Sequence, residues 1–129
     1  MTASKTVPVV VTRYFNSLND EDWDGFRALW AEDAEARAVS ARPRHGVDDV
    51  MALYTKIFDH WSKHLDVPGR TLIDGDTVIV EVHFIGTTDG GRVVEFDAVD
   101  VIDLEGDRIK KITTWYDTAR VLAMIEGTP

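Results

Sequence analysis

An α+β domain, with helices first and an antiparallel sheet after them, is what the sequence predicts. Three observations carry this. In the first half, apolar residues recur at steps of three and four, the spacing of one helix face. After Asp74-Gly75-Asp76 the pattern changes to runs rich in Val, Ile and Phe, separated by Gly-containing turns. The 129 residues, 44% of them hydrophobic, suit a single domain, 1–129, with enough core to enclose a pocket. Helices followed by strands place the helices on one face of the sheet.

The elements follow in order. Val7, Val10, Val11, Tyr14, Phe15 and Leu18 form the apolar stripe of a first helix, which Asn19-Asp20 breaks. Trp23, Phe26, Leu29 and Trp30 mark a second, shorter helix. Residues 34–40 read as either a strand or an extended connection, and Arg42-Pro43-Arg44-His45-Gly46 is a loop. A third helix carries Val47, Val50, Met51, Tyr54, Ile57, Phe58 and Trp61, with Pro68-Gly69 marking its end. Residues 77–88 make a strand that turns at Asp89-Gly90-Gly91 into 92–104, and Glu105-Gly106-Asp107 turns that into 108–117. The meander has three or four strands, and a short apolar tail follows at Val121, Leu122, Met124 and Ile125.

Charge narrows the function classes. The 23 Asp and Glu against 14 Lys and Arg leave a net charge of −9, which disfavours nucleic acid and acidic membrane surfaces as partners. The absence of cysteine excludes disulfides, thiol chemistry and cysteine-bound metals. Val9-Val10-Val11 is too short for a signal peptide or a membrane span, so a cytoplasmic protein is expected. Asp20, Asp22 and Asp24 before Gly25 imitate the start of a calcium loop, but Ala31 stands where the bidentate Glu is required. His60 and His64 have the spacing of a metal pair; without a Glu after His60 they read as a solvated pair. Gly90-Gly91 precedes a strand and makes a hairpin, where a phosphate loop would open a helix. No motif calls for a metal or another cofactor.

Several segments together resemble one superfamily. They are Arg13-Tyr14-Phe15-Asn16-Ser17-Leu18-Asn19, the run from Asp24-Gly25-Phe26 through Leu29-Trp30 to Asp33-Ala34, and His45-Gly46 opening the third helix. The others are Asp100-Val101-Ile102-Asp103-Leu104-Glu105-Gly106-Asp107-Arg108-Ile109 and Thr114-Trp115-Tyr116-Asp117. Over nearly the whole chain the pattern is similar to the nuclear-transport-factor-2-like superfamily, which includes ketosteroid isomerases, SnoaL-like polyketide cyclases and limonene-type epoxide hydrolases. That resemblance implies a cone-shaped, strongly curved antiparallel sheet packed against three N-terminal helices, the cystatin-like α+β barrel, around an apolar pocket. The fold hosts many chemistries and also silent binders. In the isomerase pattern, the tyrosine that donates to the substrate oxygen falls on Tyr14, its second tyrosine on Tyr54, and the acid of the oxyanion hole on Asp100. The general base falls on Ala38, whose methyl group cannot take a proton. The Arg and two Asp of the epoxide hydrolases fall on Glu81, His83 and Thr114, so none matches. SnoaL-like cyclases use a looser acid/base set and fit best.

Strand alternation adds to this. Phe96, Ala98, Asp100 and Ile102 share a face, as do Ile112, Thr114 and Tyr116, and these are expected to look inward. For residues 77–88 two registers stand open. Apolar content favours Val78, Val80, Val82 and Phe84 inward; the family alignment favours Ile79, Glu81, His83 and Ile85. In the second, His83 replaces the base missing at Ala38, with Glu81 orienting it or acting as a second acid/base. Asp100, Tyr14, Tyr54, His83 and Glu81 are thus the candidate catalytic residues. Trp30, Phe58, Trp61, Phe96, Ala98, Thr114 and Tyr116 are the candidates for contacting a hydrophobic, ring-bearing substrate. The outward face, with Val99, Val101 and Trp115 among Glu95 and Lys111, is apolar enough to suggest a homodimer through the sheet. The expected function is cofactor-independent isomerisation or cyclisation of a carbonyl compound through an enolate-like intermediate. An epoxide hydrolase and a non-catalytic binder are the alternatives.

Overall fold

The computed structural model describes residues 6–127; residues 1–5 and 128–129 of the expected domain lie outside the described residues. The chain runs α1 (Val9–Asp20), α2 (Trp23–Arg27), β1 (Trp30–Ala38), β2 (Arg44–His45), α3 (Val47–Asp59), β3 (Trp61–Asp74), β4 (Thr77–Thr88), β5 (Val93–Glu105), β6 (Arg108–Trp115) and α4 (Thr118–Glu126). One curved six-stranded sheet has the order β2-β1-β6-β5-β4-β3. Its edges, β2 and β3, do not pair, so the sheet is open. The fold is α+β as expected, but the sheet is mixed, because β1 runs parallel to β6 while every other pair is antiparallel.

The apolar stripes form the helices and the core together. Val10, Val11, Tyr14, Phe15 and Leu18 of α1, with Val50, Leu53, Tyr54 and Phe58 of α3, are buried against the concave face. Val78, Val80, Val82 and Phe84 of β4 are buried there too, alongside Ile102 and Ile112. Fully buried Phe26 and Trp30 sit among the rings of Tyr14 and Tyr54, at centroid distances of 5.0–6.3 Å.

Three local readings change. The second helix ends at Arg27, and Trp30 begins a strand whose partner, β6, comes from the far end of the chain. Residues 61–74 form a long strand where the sequence suggested only a helix end. Pro68-Gly69 lie inside that strand, at a register shift between Pro68 and Thr71; a bulge on an edge strand tolerates a residue without an N–H. The apolar tail is α4, capped by Asp117, whose Oδ1 accepts from the Arg120 N–H at 2.9 Å, and by Gly127 at φ 73°. No helix among the described residues is long and apolar enough to cross a membrane.

One contact joins α1 to the exposed sheet edge. The Asn19 carboxamide donates to the Asp66 carbonyl at 2.9 Å and accepts from the Asp66 N–H at 2.8 Å. It thereby takes the place of a neighbouring strand and holds the β3 backbone at Asp66.

Candidate functional site

Between the concave sheet and α1, α3 and α4 lies a cavity of about 380 Å³, within the range of small-molecule sites. Its aromatic wall comes from the sheet: Trp61 packs on Phe84 at 4.9 Å, Phe84 on Phe96 at 4.9 Å, and Phe96 on Tyr116 at 5.4 Å between ring centroids. Gly86 makes room for this row, since a Cβ there would come within 2.6 Å of both the Phe84 and the Trp61 ring. Leu18, Phe58, Val121 and Ile125 close the cavity from the helices, and Ala36 and Ala38 leave the β1 side lined by methyl groups.

Four of the polar groups in this lining bear on its chemistry. The hydroxyls of Tyr14 and Tyr54 are hydrogen-bonded to each other at 3.1 Å. Whichever donates, the other keeps a free O–H for a ligand. Asp100 is 4% exposed, and its Oδ1 accepts a short bond from Thr114 Oγ1 at 2.6 Å. The fourth group is Asp66, half-buried on the inward face of β3 opposite Phe84. Among the described residues its carboxyl group has no hydrogen-bond partner.

Burial dominates the electrostatics. Desolvation pushes Asp100 up to about 6, and the Thr114 hydroxyl, which favours the charged form, restrains the rise. Desolvation pushes Asp66 to about 7, with the charge of Asp100 adding to it. Tyr14 and Tyr54 are raised, first by desolvation, so both stay neutral hydrogen-bond donors at physiological pH. Each carboxyl group thus titrates close to neutrality, where proton transfer in either direction is easiest.

Most of the residues expected at the site are brought together. Tyr14, Tyr54, Asp100, Phe58, Trp61, Phe96, Ala98, Thr114 and Tyr116 all line the cavity. Trp30 does not: at 1% exposure it is core, packed behind the tyrosines, because β1 begins there and turns the indole beneath the cavity. Glu81 and His83 stand on the outer face of the sheet, which corrects the register favoured by the family alignment. His83 is held between Asp97 Oδ1 at 2.8 Å and Glu95 Oε1 at 3.0 Å, and Glu81 pairs with Arg70 at 2.9 Å. Bonds from Asp97 and Glu95 raise the His83 pKa, but on the wrong side of the sheet for the cavity. The chosen register buries four apolar side chains; the alternative would have buried a carboxylate and an imidazole.

The histidine pair also separates. His60 is exposed at the cavity rim, where α3 ends. His64 belongs to β3, and its side chain is 3% exposed, bonded to Glu21 at 2.9 Å and packed on Phe58, so it is not solvated. Asp66 is the residue that sequence reasoning missed. Reading residues 61–74 as a strand would have placed it on one face with His64 and Pro68, but helical spacing up to Trp61 concealed that strand. Among the described residues no group of three or more His, Asp or Glu is placed to hold a metal ion.

Comparison with solved structures agrees with this architecture. The chain superposes on a putative SnoaL-like polyketide cyclase from Jannaschia sp. CCS1 with a TM-score of 0.87 and 19% identity, covering 98% of this chain and 100% of the other. An NTF2-like protein of unknown function from Burkholderia pseudomallei K96243 gives 0.84 at 21% identity, over 91% and 95% of the two chains. An epoxide hydrolase from M. tuberculosis, of the LEH-like type, gives 0.79 at 18%, over 92% and 88%. At such identities these likenesses concern the fold. Among curated proteins none matches the sequence. The family model of the SnoaL-like domain matches residues 11–112, from α1 into β6, and so takes in Tyr14, Tyr54, Asp66 and Asp100. By this match, which spans most of the chain and the elements that build the cavity, the protein belongs to the SnoaL-like domain family.

Proposed function

We propose that this protein is a cofactor-independent acid–base enzyme that isomerises or cyclises a hydrophobic carbonyl compound through an enolate-like intermediate. The observation that carries the reading is a buried carboxyl group, Asp100, sharing one apolar cavity with a pair of hydrogen-bonded phenols. The free O–H of the Tyr14–Tyr54 pair donates to the substrate carbonyl and stabilises charge that develops on its oxygen. The bond from Thr114 holds Asp100 as a carboxylate above about pH 6, so Asp100 acts as the proton acceptor at the α-carbon. This role differs from the neutral donor that the isomerase resemblance implies. The apolar walls strengthen both interactions by excluding water.

The test is exchange of the α-protons of 2-tetralone in deuterated buffer, followed by proton NMR. The expected outcome is catalysed exchange that falls ~10²–10⁴-fold in Asp100→Asn and ~10²–10³-fold in Tyr14→Phe. Unchanged rates in both variants refute the assignment. Ala38, a methyl where related isomerases carry their base, favours a second reading, a non-catalytic binder of hydrophobic ligands. That reading predicts binding of the same ketone without exchange. The hydrolase alternative loses its candidates with Glu81 and His83 on the outer face. A homodimer through that face, where Val67 and Trp115 are exposed, is part of the proposal and is tested by sedimentation velocity.

A further inference from the structure

We propose that Asp66 is a second catalytic residue of this cavity, the proton donor that works in tandem with Asp100. The inference rests on the enolate reading above and adds to it the acid that the family pattern does not supply. Its basis is geometric. Asp66 lines the cavity from β3, on the same concave face as Asp100 and separated from β5 by β4 alone, and its backbone is clamped on both its N–H and its carbonyl by Asn19. The carboxyl group itself bonds to none of the described residues. A half-buried carboxyl group that lines an apolar cavity with no side-chain partner among the described residues is desolvated without compensation, and its presence there points to a role beyond structure.

The two acids are not equivalent. Thr114 donates to Asp100 and so favours its ionised form, whereas nothing comparable stabilises charge on Asp66. When the pair shares one proton, that proton resides on Asp66. In the first step the substrate α C–H bond breaks and its proton goes to the Asp100 carboxylate. The electron pair forms the enol double bond, and the Asp66 O–H breaks to protonate the carbonyl oxygen. In the second step the Asp66 carboxylate takes the proton back from the enol oxygen, while the Asp100 carboxyl delivers its proton to carbon. The pair carries one negative charge throughout and returns to its starting state.

The working state therefore exists between two limits. Activity falls below about pH 6, where Asp100 is protonated, and above about pH 7, where Asp66 loses its proton. The other titratable or charged groups facing this space are Tyr14 from α1, Tyr54 and rim His60 from α3, Arg37 from β1 and Tyr116 beyond β6, with His64 adjacent along β3. His60→Gln, which removes the imidazole at the rim, serves as a control.

The experiment measures the pH dependence of 2-tetralone exchange in wild type, Asp66→Asn, Asp66→Glu and His60→Gln, with 2-naphthol binding as a readout independent of turnover. The expected result is a bell in wild type and in His60→Gln. In Asp66→Asn the rate at pH 6.5 falls at least ~10²-fold, the alkaline limb disappears, the acid limb stays, and naphthol affinity changes by less than about threefold, under ~0.7 kcal/mol. Should the Asn variant not fold, Asp66→Glu decides: it must keep the acid limb and displace the alkaline one. An unaltered bell in either folded Asp66 variant overturns the role of Asp66 while leaving the enolate reading intact. Absence of exchange in wild type overturns both.

Discussion

Replacing Asp100 by Asn should stabilise the protein near pH 8 while abolishing its chemistry. Asp100 is raised from an ordinary 3.8 to about 6 by burial. A raised acid holds its proton in the folded state over a pH interval where the unfolded chain has released it. Folding stability then falls as pH rises through that interval, from about 4 to about 6, and levels off above it. At about 1.4 kcal/mol per pH unit the loss is of order 3 kcal/mol. The carboxamide of the Asp100→Asn variant has no charge to desolvate, matches the shape, and still offers an oxygen to the Thr114 hydroxyl, so this loss disappears. Urea unfolding followed by tryptophan fluorescence should show the variant more stable than wild type by about 2–3 kcal/mol at pH 8. At pH 4, where both side chains are neutral, the difference should lie within about 0.5 kcal/mol. The gain is accompanied by loss of 2-tetralone exchange, the trade between stability and activity that buried functional charges impose. Equal stabilisation at both pH values, or none at pH 8, would falsify the view that desolvation sets the Asp100 pKa.

Two further outcomes test the architecture. Gly86→Ala pushes a methyl group into the Phe84 and Trp61 rings and should cost about 1–3 kcal/mol in urea unfolding, with weaker 2-naphthol binding as the aromatic wall shifts; an unchanged midpoint and affinity would count against that wall. His83→Ala, on the outer face, should leave 2-tetralone exchange at the wild-type rate and the urea midpoint nearly unchanged, since its side chain is 43% exposed and its partners are solvated. A large loss of exchange would return His83 to the mechanism.

Much of this site is legible in the linear pattern, and the reason is local. Tyr14 and Tyr54 lie on strong 3.6-residue stripes, so the faces of α1 and α3 follow from the sequence. Asp100 and Thr114 alternate with apolar neighbours on β5 and β6, so their inward direction follows as well, and they meet as register partners across the ladder. What local pattern cannot decide is β4, where Ile79 and Ile85 make both faces apolar. The choice falls to the cost of burying Glu81 and His83 beneath the helices.

By itself, then, the sequence determined the α+β class and the inward faces of Tyr14, Tyr54, Asp100 and Thr114, because each depends on a period within a single element; their meeting in one apolar cavity was implied only by the family resemblance. Tertiary structure alone decided the existence of β3, the burial of Trp30 beneath the tyrosines, and the presence of Asp66 in the cavity. Residues 61–68 lack the alternation of a strand, since β3 is an edge with one side largely open to solvent, and they become one only by pairing with β4 and with the Asn19 carboxamide. The parallel join of β1 to β6 is equally invisible locally, because it unites the two halves of the chain. A carboxyl group on such a strand acquires its altered pKa from what folds over it, and no neighbour in sequence announces that.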